Sequence, residues 1–306
     1  MSPICSFDAL VARLSSLGRR IRVAVINATD ESTVDAICKA LQAGFAEAVL
    51  VGEMPADKLR KRLEPYAEHL RLVPVNDEDA AAARAVELVR AGEADVLMKG
   101  LLHTDNLLRA VLNKDKGLLP AGRVLSHITV AEIPDFNRLL FFTDVAVIPE
   151  PTAEQRIWQV RYADEICRAF GIDAPRIALV HFTEKVSPKF PLTQEYRTLA
   201  EAAANGEWGS TIIDGPLDVR TAVDAEALHT KGIRSPLEGK ADALVFPNLE
   251  AGNTFYKSIT FFAHATVAGV LQGTTHPVVL TSRGDDSRSK FLSLATAAIV
   301  VTKNQE

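Results

Sequence analysis

One seven-residue stretch near the end of the sequence combines side chains that bind anions. Thr281–Ser287 (TSRGDDS) lies between a predicted strand and a predicted helix. The helix N-terminus would offer unpaired N–H groups and a positive dipole end, and Gly284 would let an anion approach the backbone. Arg283 adds a planar guanidinium that matches phosphate, and Ser282 can donate to an oxyanion or a thiolate. The alternative is a plain helix cap by Ser282 or by one of the two aspartates after Gly284, with Arg283 solvated.

A second candidate stretch, Lys99–Thr104 (KGLLHT), also joins a predicted strand to a predicted helix. Asp105 falls in the first turn of that helix, and Arg109 lies further along it. A buried ammonium is costly without a partner, so Lys99 should reach either an anionic ligand or a carboxylate, Asp95 or Asp105. Arg109 on its own is equally explained as a solvated helix residue.

Three further polar loops follow predicted strands, namely Thr183–Lys189, Asp214–Leu217 and Pro247–Asn253. Turns of this kind usually satisfy only their own backbone groups. Ligands of α/β proteins, however, bind beyond the carboxyl ends of strands. The shared position of all these loops therefore predicts a site lined by Lys, Arg, Ser, Asn and backbone N–H groups, which suits an anionic substrate.

Short apolar runs that alternate with helical stretches predict the elements that carry these loops. In the first half, strands are expected at 21–27, 47–51, 69–74 and 95–99, with helices at 33–43, 77–91 and 104–112 between or after them. This alternation predicts a mostly parallel sheet that is covered by helices. The runs 124–133, 138–143 and 145–148 follow one another without helices, which favours antiparallel pairing.

A helix expected at 153–170 follows the break Ile148–Thr152 (IPEPT), and the alternation then resumes. Its last helices are expected at 254–266 and 286–301. Two α/β lobes with a cleft between them are the simplest assembly of these elements.

Composition excludes several classes of protein. The 306 residues suffice for two cores, since single domains usually have roughly 100–200 residues. A formal net charge of −5 argues against broad nucleic-acid binding, which needs a basic face. Three widely spaced cysteines give no disulfide framework, and no secretory signal or long apolar run is evident. We therefore expect a cytoplasmic protein that is not bound to membrane.

Common catalytic fingerprints do not occur in the sequence. GxGxxG, GxxxxGK[ST], HExxH and GxSxG are all missing, and the seven histidines show no ligand spacing. A dinucleotide fold, a P-loop and a bound metal are therefore not expected.

Taken in order, the motifs make the chain resemble the phosphate acetyl/butyryltransferase family, and more closely its butyryl branch. The resemblance extends from about residue 21 to residue 301. The matching stretches are LMKGLLHT (97–104), LSHITV (125–130), TD (143–144), EKVSPK (184–189), DGPL (214–217), PNLEAGN (247–253) with YK at 256–257, and TSRGDDS (281–287) with Lys290 behind it.

The resemblance implies an α/β fold of the isocitrate/isopropylmalate dehydrogenase type, with two α/β/α lobes and a central cleft. Residues 1–150 and 272–306 would form the first lobe with the SRG loop, and residues 151–271 the second. The implied reaction is acyl-CoA + phosphate ⇌ acyl phosphate + CoA. Coenzyme A is then a substrate, no cofactor is needed, and a homodimer is usual.

The resemblance also implies residue roles. Arg283 would bind phosphate, and Ser282 would stabilise the departing thiolate or the carbonyl oxygen. The family's general base falls at Ser289 here, so either Asp285 or Asp286 takes its place or no base is needed. Arg109 matches an arginine that binds phosphate in the acetyl branch. The remaining expected substrate contacts are Lys99, His103, Thr104, Ser126, Gly284 and Asn253.

Four positions depart from the family pattern. Ser289 stands where the acetyl branch has a proposed basic aspartate, Arg220 where the butyryl branch usually has aspartate, and Ile148 and Ser187 where asparagines are usual. These departures leave open a degenerate CoA-binding or regulatory protein of the same fold. An NAD- and metal-dependent dehydrogenase is a third possibility, but no carboxylate cluster for a metal is evident in the sequence.

Overall fold

Apolar runs rich in valine, isoleucine and leucine form the strands of this protein. In Ile21–Ile26 (IRVAVI) five of the six residues are buried, and all four residues of Val96–Lys99 are buried. Side chains on both faces of such strands are removed from water, as the sequence predicted for a parallel sheet covered by helices. The computed structural model describes residues 2–281 and 284–304.

Helices and strands alternate along most of the chain. In chain order the elements are α1 Phe7–Ser16, β1 Ile21–Ile26, α2 Glu31–Gln42, β2 Ala46–Gly52, α3 Asp57–Leu63, a 3-10 helix Glu64–His69, β3 Leu70–Pro74, α4 Glu78–Arg90, β4 Val96–Lys99, α5 Thr104–Val111, β5 Ser126–Glu132, β6 Leu139–Thr143, α6 Ala153–Ala169, β7 Arg176–Val180, α7 Pro191–Ala204, β8 Ile212–Leu217, α8 Val219–Val223, α9 Ala225–Lys231, β9 Ala243–Val245, α10 Leu249–Phe262, β10 Thr266–Gln272, β11 Val278–Val279 and α11 Ser287–Asn304. Within the described residues, no helix combines the length and the apolar character needed to cross a membrane.

Two compact units account for these elements. The first unit holds residues 6–125 and 267–304, apart from 282–283, and the second unit holds residues 2–5 and 126–266. In the first unit the strand order is β3-β2-β1-β4-β11-β10, with β10 antiparallel to β11 and the other pairs parallel. In the second unit the order is β5-β6-β9-β7-β8, with β5 antiparallel to β6 and the other pairs parallel.

The unit boundaries fall at 5/6, 125/126 and 266/267, whereas the sequence placed two boundaries, at 150/151 and 271/272. The shift from 150/151 to 125/126 has a clear physical cause. Strand β6 pairs with β5 on one side and with β9 on the other. Both ladders of β6 are therefore made within the second unit, and the proline-rich break IPEPT lies inside that unit.

The segment 145–148 was predicted to be a strand, and this prediction is wrong. The N–H groups of Ala146, Val147 and Ile148 donate to the carboxylate of Asp144 at 2.8, 3.0 and 3.3 Å. Because a side chain takes these three donors, the segment turns around Asp144 and does not extend the β5–β6 pair.

Helix α10 begins five residues earlier than the sequence indicated. The Oδ1 atom of Asn248 accepts a hydrogen bond from the N–H of Ala251 at 3.0 Å and caps the helix at Leu249. The stretch PNLEAGN reads as a turn because it contains Pro, Asn and Gly, but Gly252 lies inside the helix. A Cβ atom at Gly252 would overlap the carbonyl oxygen of Asp144, so glycine is required by packing.

Replacing Gly252 with alanine should destabilise the protein. Alanine is a better helix former than glycine by about 1 kcal/mol. A net loss of stability would therefore show that the overlap with Asp144 outweighs this gain. We expect a net loss of about 1–2 kcal/mol in the free energy of unfolding, measured by urea denaturation. Ser258→Ala on the same helix is the control and should change stability by less than about 0.5 kcal/mol. A Gly252→Ala protein as stable as the wild type would contradict the packing argument.

Candidate active site

The carboxyl ends of β1 and β4 are tied together by the backbone of the KGLLHT motif. Gly100 and Leu101 donate their N–H groups to the carbonyls of Ile26 and Asn27, both at 2.8 Å. A Cβ atom at Gly100 would lie 2.5 Å from each of these two carbonyl oxygens. Only glycine lets the backbone at position 100 come this close to the carbonyls of Ile26 and Asn27. This close approach leaves Lys99 at the edge of the sheet where β11 also ends.

Lys99 is buried, with 2% of its surface exposed. Its Nζ atom donates to the carbonyl oxygens of Gly100 at 3.4 Å and of Thr281 at 3.3 Å. Asp95, one carboxylate that the sequence suggested as its partner, is paired instead with Arg22 at 2.7 Å. The ammonium of Lys99 thus lies against the residue that precedes Ser282. Ser282 and Arg283 themselves lie outside the described residues.

The other end of the TSRGDDS motif is a capped helix. Asp286 accepts a hydrogen bond from the N–H of Ser289 at 2.7 Å and so caps the helix. Such a cap was one of the alternatives predicted from the sequence. Gly284 is exposed in a turn, and Asp285 is half-buried. The N-terminus of α11 therefore begins four residues after Arg283.

A buried ion pair fixes the first turn of α11 on α2. The Nζ atom of Lys290, whose side chain is only 3% exposed, lies 3.1 Å from Oδ1 of Asp30 and 3.0 Å from Oγ1 of Thr33. Burial acts to raise the pKa of Asp30, but hydrogen bonds from Ser32, Thr33 and Lys290 outweigh it and hold the pKa well below its ordinary value. The sequence marked Lys290 only as a motif match and missed Asp30, because 260 positions separate the two residues.

Arg109 lies on α5 with its side chain 67% exposed. Its NH1 atom is 3.0 Å from each carboxylate oxygen of Asp79, and Asn106 donates to the same carboxylate at 2.9 Å. An exposed pair of this kind contributes about 0–1 kcal/mol, so Arg109 could exchange Asp79 for a stronger anion. His103 and Thr104, at the start of α5, are exposed.

In the second unit the TD motif supplies a buried carboxylate that organises two loops. Asp144 is 2% exposed and accepts from the hydroxyl of Ser126 at 2.9 Å and from the N–H of His127 at 3.3 Å. These donors add to the three backbone donors of residues 146–148. Ser126 is fully buried, so the structure places this expected substrate contact in a structural network.

The PNLEAGN loop is held by a buried arginine that the sequence missed. Arg156, 3% exposed, pairs with Glu195 at 2.8 Å and donates to the carbonyls of Pro151 and Pro247 at 3.1 and 3.2 Å. Asn253 is exposed, and its Nδ2 atom donates to the carbonyl of Val145 at 3.0 Å. Within α6 nothing in the pattern of charges distinguishes Arg156 from a solvated helix residue.

Lys231 connects the EKVSPK and DGPL loops. Its Nζ atom lies 2.6 Å from Oε1 of Glu184 and 2.5 Å from Oδ2 of Asp218. Burial acts to raise the pKa of Asp218, but hydrogen bonds from Lys231 and Thr221 hold the pKa at about 2. Arg220, one of the departures from the family pattern, forms an exposed pair with Asp224 at 3.2 Å.

The family model and the relatives found by sequence point to the same family. A family model described as phosphate acetyl/butaryl transferase matches residues 73–298. A phosphate butyryltransferase of Clostridium beijerinckii is 37% identical over 301 residues, which cover 98% of this chain and 99% of that protein. The chain belongs to the phosphate acetyl/butyryltransferase family. The predicted resemblance is thereby confirmed, and the protein is a phosphate acyltransferase by family.

Relatives in this family include both branches. A phosphate acetyltransferase of Thermotoga maritima is 35% identical over 293 residues, which cover 95% of this chain and 98% of that protein. Among solved structures, a branched-chain phosphotransacylase from Enterococcus faecalis V583 is 32% identical, with a TM-score of 0.81 over 92% of this chain and 99% of that chain. The mixed α/β class is confirmed, and the alternative of a degenerate binding protein is not favoured.

The ion pair between Asp30 and Lys290 should make stability depend on pH. Because the folded-state pKa of Asp30 is depressed, its contribution is present above the ordinary pKa of 3.8 and is lost as the pH falls through the lower folded value. Asp30→Asn should cost about 3 kcal/mol at pH 7, since it leaves Lys290 buried without its counter-charge. The difference from the wild type should shrink below pH 4, as measured by urea denaturation across pH.

Asp135→Asn is the matched control, because Asp135 is exposed at a positive φ that asparagine also tolerates. Its effect should stay within about 0.5 kcal/mol at every pH. An Asp30→Asn penalty that is the same at pH 3 and pH 7 would show that the carboxylate charge does not stabilise the fold.

Proposed function

We propose that the protein transfers a short acyl group between coenzyme A and inorganic phosphate: acyl-CoA + phosphate ⇌ acyl phosphate + CoA. The observation that carries the proposal is the 37% identity, over nearly the whole chain, to a protein named phosphate butyryltransferase. The TSRGDDS motif, where an anion-binding chemistry is expected from the residues alone, agrees with a reaction in which phosphate is a substrate.

The chemistry needs two developing charges to be stabilised. A phosphate oxygen attacks the thioester carbonyl, forming the O–C bond, and the C–S bond then breaks so that CoA leaves as a thiolate. Arg283 would bind phosphate through its planar fork, and Ser282 would donate to the carbonyl oxygen or the departing sulfur. The backbone N–H groups at the start of α11 would add a fixed positive dipole near the phosphate.

The described contacts around residues 282–283 support this assignment. Lys99 donates to the carbonyl of Thr281 on one side, and Asp286 caps α11 on the other. Lys290 fixes the first turn of the same helix against Asp30. Catalysis by prepositioned donors requires such rigidity on both sides of the loop, since a misplacement of about 1 Å costs roughly 100-fold in rate.

The remaining predicted residues divide into two groups. Arg109, His103, Thr104 and Gly284 are exposed, and we propose that they contact the substrate. We propose that Ser126 and Asn253 act indirectly, because their polar groups position Asp144 and the carbonyl of Val145.

Asp285 remains the proposed general base in the direction that consumes CoA. Its side chain is half-buried and lies next to the capping residue Asp286. Ser289 stands where the acetyl branch carries an aspartate, and here its N–H completes the cap. The reverse direction releases a thiolate, so the base is needed for one direction only.

The fold type, the oligomeric state, the cellular location and the use of cofactors are further proposals. We propose a two-lobed fold of the isocitrate/isopropylmalate dehydrogenase type, which the return of residues 267–304 to the first unit supports. A homodimer, a cytoplasmic location, and a reaction in which CoA is a substrate and no cofactor is used follow from the family resemblance. No metal is expected, and among the described residues no cluster of His, Cys, Asp and Glu is placed to hold one.

Release of free thiol from acyl-CoA is the direct test of this function. Acetyl-, propionyl-, butyryl-, isobutyryl- and hexanoyl-CoA would be incubated with and without phosphate. We expect release that depends on phosphate, with the fastest substrate identifying the acyl group. Folded protein that binds CoA but releases no thiol from any substrate would instead indicate a binding protein.

Arg283→Ala should lower kcat/KM by at least roughly 10²–10³-fold, because the developing charge loses its cation. Arg288→Ala is the matched control, since Arg288 is an exposed arginine on the first turn of α11. It should retain kcat/KM within about twofold of the wild type. Equal activity of the two variants would contradict the role assigned to Arg283.

A further inference from the structure

Helix α10 of the second unit leaves much of its apolar surface uncovered. Of its fourteen residues the fold buries Gly252 and Ile259, although the helix carries four aromatic side chains. A surface helix normally turns its apolar stripe toward the core. In α10 a second stripe, spaced i, i+3, i+4, i+7, i+10 and i+11, lies along another side and is half-buried or exposed: Ala251, Thr254, Phe255, Ser258, Phe261 and Phe262.

Phe261 and Phe262 form an aromatic knob at the end of this stripe. The two residues are 74% and 78% exposed, and their ring centroids lie 5.0 Å apart with the rings nearly perpendicular. A buried phenylalanine removes about 150–250 Å² from water, so the knob leaves roughly 300 Å² of apolar surface exposed. Contiguous apolar patches of this size commonly mark interaction surfaces on a soluble protein.

The other end of the same stripe lines an apolar cavity of about 560 Å³, which lies at the carboxyl ends of β7 and β9. Asp218 is the charged residue of its lining, and Lys231 neutralises that carboxylate at 2.5 Å. Two phenyl rings fit a cavity of this size, since pockets of about 300–1,000 Å³ hold drug-sized molecules. Three residues of the stripe form one wall: Ala251, Thr254 and Phe255.

Aromatic packing fixes the shape of the cavity before anything enters it. Phe246 and Phe255 contact each other with ring centroids 5.1 Å apart. Each also packs against the buried ring of Phe142, at 6.2 and 5.2 Å, in nearly perpendicular orientations. Little ordering of the wall is therefore required when an aromatic group binds, and edge-to-face contacts are available to it.

The knob and the cavity are placed so that two copies of the chain can satisfy each other. They lie about 12 Å apart along one side of α10, because roughly eight residues separate their centres. A second copy packed antiparallel against α10 brings its knob to the cavity of the first copy, and two-fold symmetry makes the reciprocal contact identical. Ser258 then lies near the two-fold axis. Its hydroxyl already donates to the carbonyl of Thr254 at 2.8 Å, so it keeps its partner in the contact.

We propose that the protein forms a two-fold dimer through α10, in which the knob of each copy fills the cavity of the other. Each knob covers a similar area of cavity wall, so the two contacts remove on the order of 1,200 Å² from water, which is enough for a specific interface. Both knobs and both cavities are used within the pair. The assembly therefore closes at two chains and does not extend into a fibre.

Removal of the knob tests the proposal by sedimentation equilibrium of the full chain at micromolar concentrations. The wild type should have twice the mass of one chain. The double variant Phe261→Ser with Phe262→Ser should have a dimer dissociation constant at least about 100-fold higher, because each substitution acts twice in a two-fold dimer. Leu72→Ser on β3 is the matched control, since Leu72 is also apolar and 50% exposed. It should remain as dimeric as the wild type.

Filling the cavity gives a second variant that leaves the knob intact. Ala251→Leu adds a larger side chain to the cavity wall, and leucine is a good helix former. It should weaken the dimer in the same way, with folding checked by circular dichroism. A wild type that sediments as a monomer would overturn the proposal, and so would a knob variant that dimerises as tightly as the wild type.

Cysteine crosslinking locates the two-fold axis. Cys5 is exposed and would first be replaced by serine. In that background Ser258→Cys should be joined into a covalent dimer by a short bismaleimide, because the two copies of residue 258 face each other. Thr198→Cys, at an exposed position of α7, is the control and should stay uncrosslinked. Crosslinking at residue 198 and not at residue 258 would assign the dimer to another surface. Neither mass nor crosslinking depends on turnover, so the result stands whether or not acyl transfer is observed.

Discussion

Parallel strands leave backbone groups without ladder partners at their carboxyl ends, and this constraint governs the described part of both units. The groups must find partners, because a buried and unpaired N–H or C=O costs free energy comparable to a lost hydrogen bond. In this protein, buried charged side chains supply hydrogen-bond partners for these backbone groups. Asp144 accepts donors from residues 126–127 and 146–148, while Lys99 and Arg156 donate to carbonyls of the loops.

This arrangement gives buried charged residues a role in holding the loops that carry the motifs. A charged side chain that is buried and satisfied by backbone groups orients a loop with little freedom, because any displacement would break several charge-assisted hydrogen bonds together. Asp144 and Arg156 have this role in the second unit, and the Asp30–Lys290 pair has it in the first. Exposed groups such as Arg109 are held by fewer and weaker contacts.

The carboxyl ends of the strands differ in character between the two units. In the first unit a buried lysine donates to the carbonyl of Thr281, and helix α11 begins shortly after it. In the second unit the carboxyl ends of three parallel strands frame a cavity whose described lining contains no lysine or arginine.

Local patterns in the sequence were enough for the element types, the α/β class and the family. Strands β1 and β4 consist mostly of apolar residues, and the order of the motifs along the chain identifies the family however the loops pack. Two elements were misread. The segment 145–148 gives its backbone donors to the side chain of the adjacent Asp144. Asn248 caps α10, so that Gly252 lies inside the helix, where the backbone of Asp144 leaves no room for a Cβ atom.

The sequence by itself therefore determined which residues carry chemistry of the right type at strand ends. Only the tertiary structure decided which of them are satisfied internally and which face solvent. Ser126 and Asn253 are both polar residues of motifs, yet one is fully buried against Asp144 and the other is exposed. Partners such as Asp30 and Lys290 lie far apart along the chain, and no periodic pattern encodes a pair that exists only after α2 and α11 pack together.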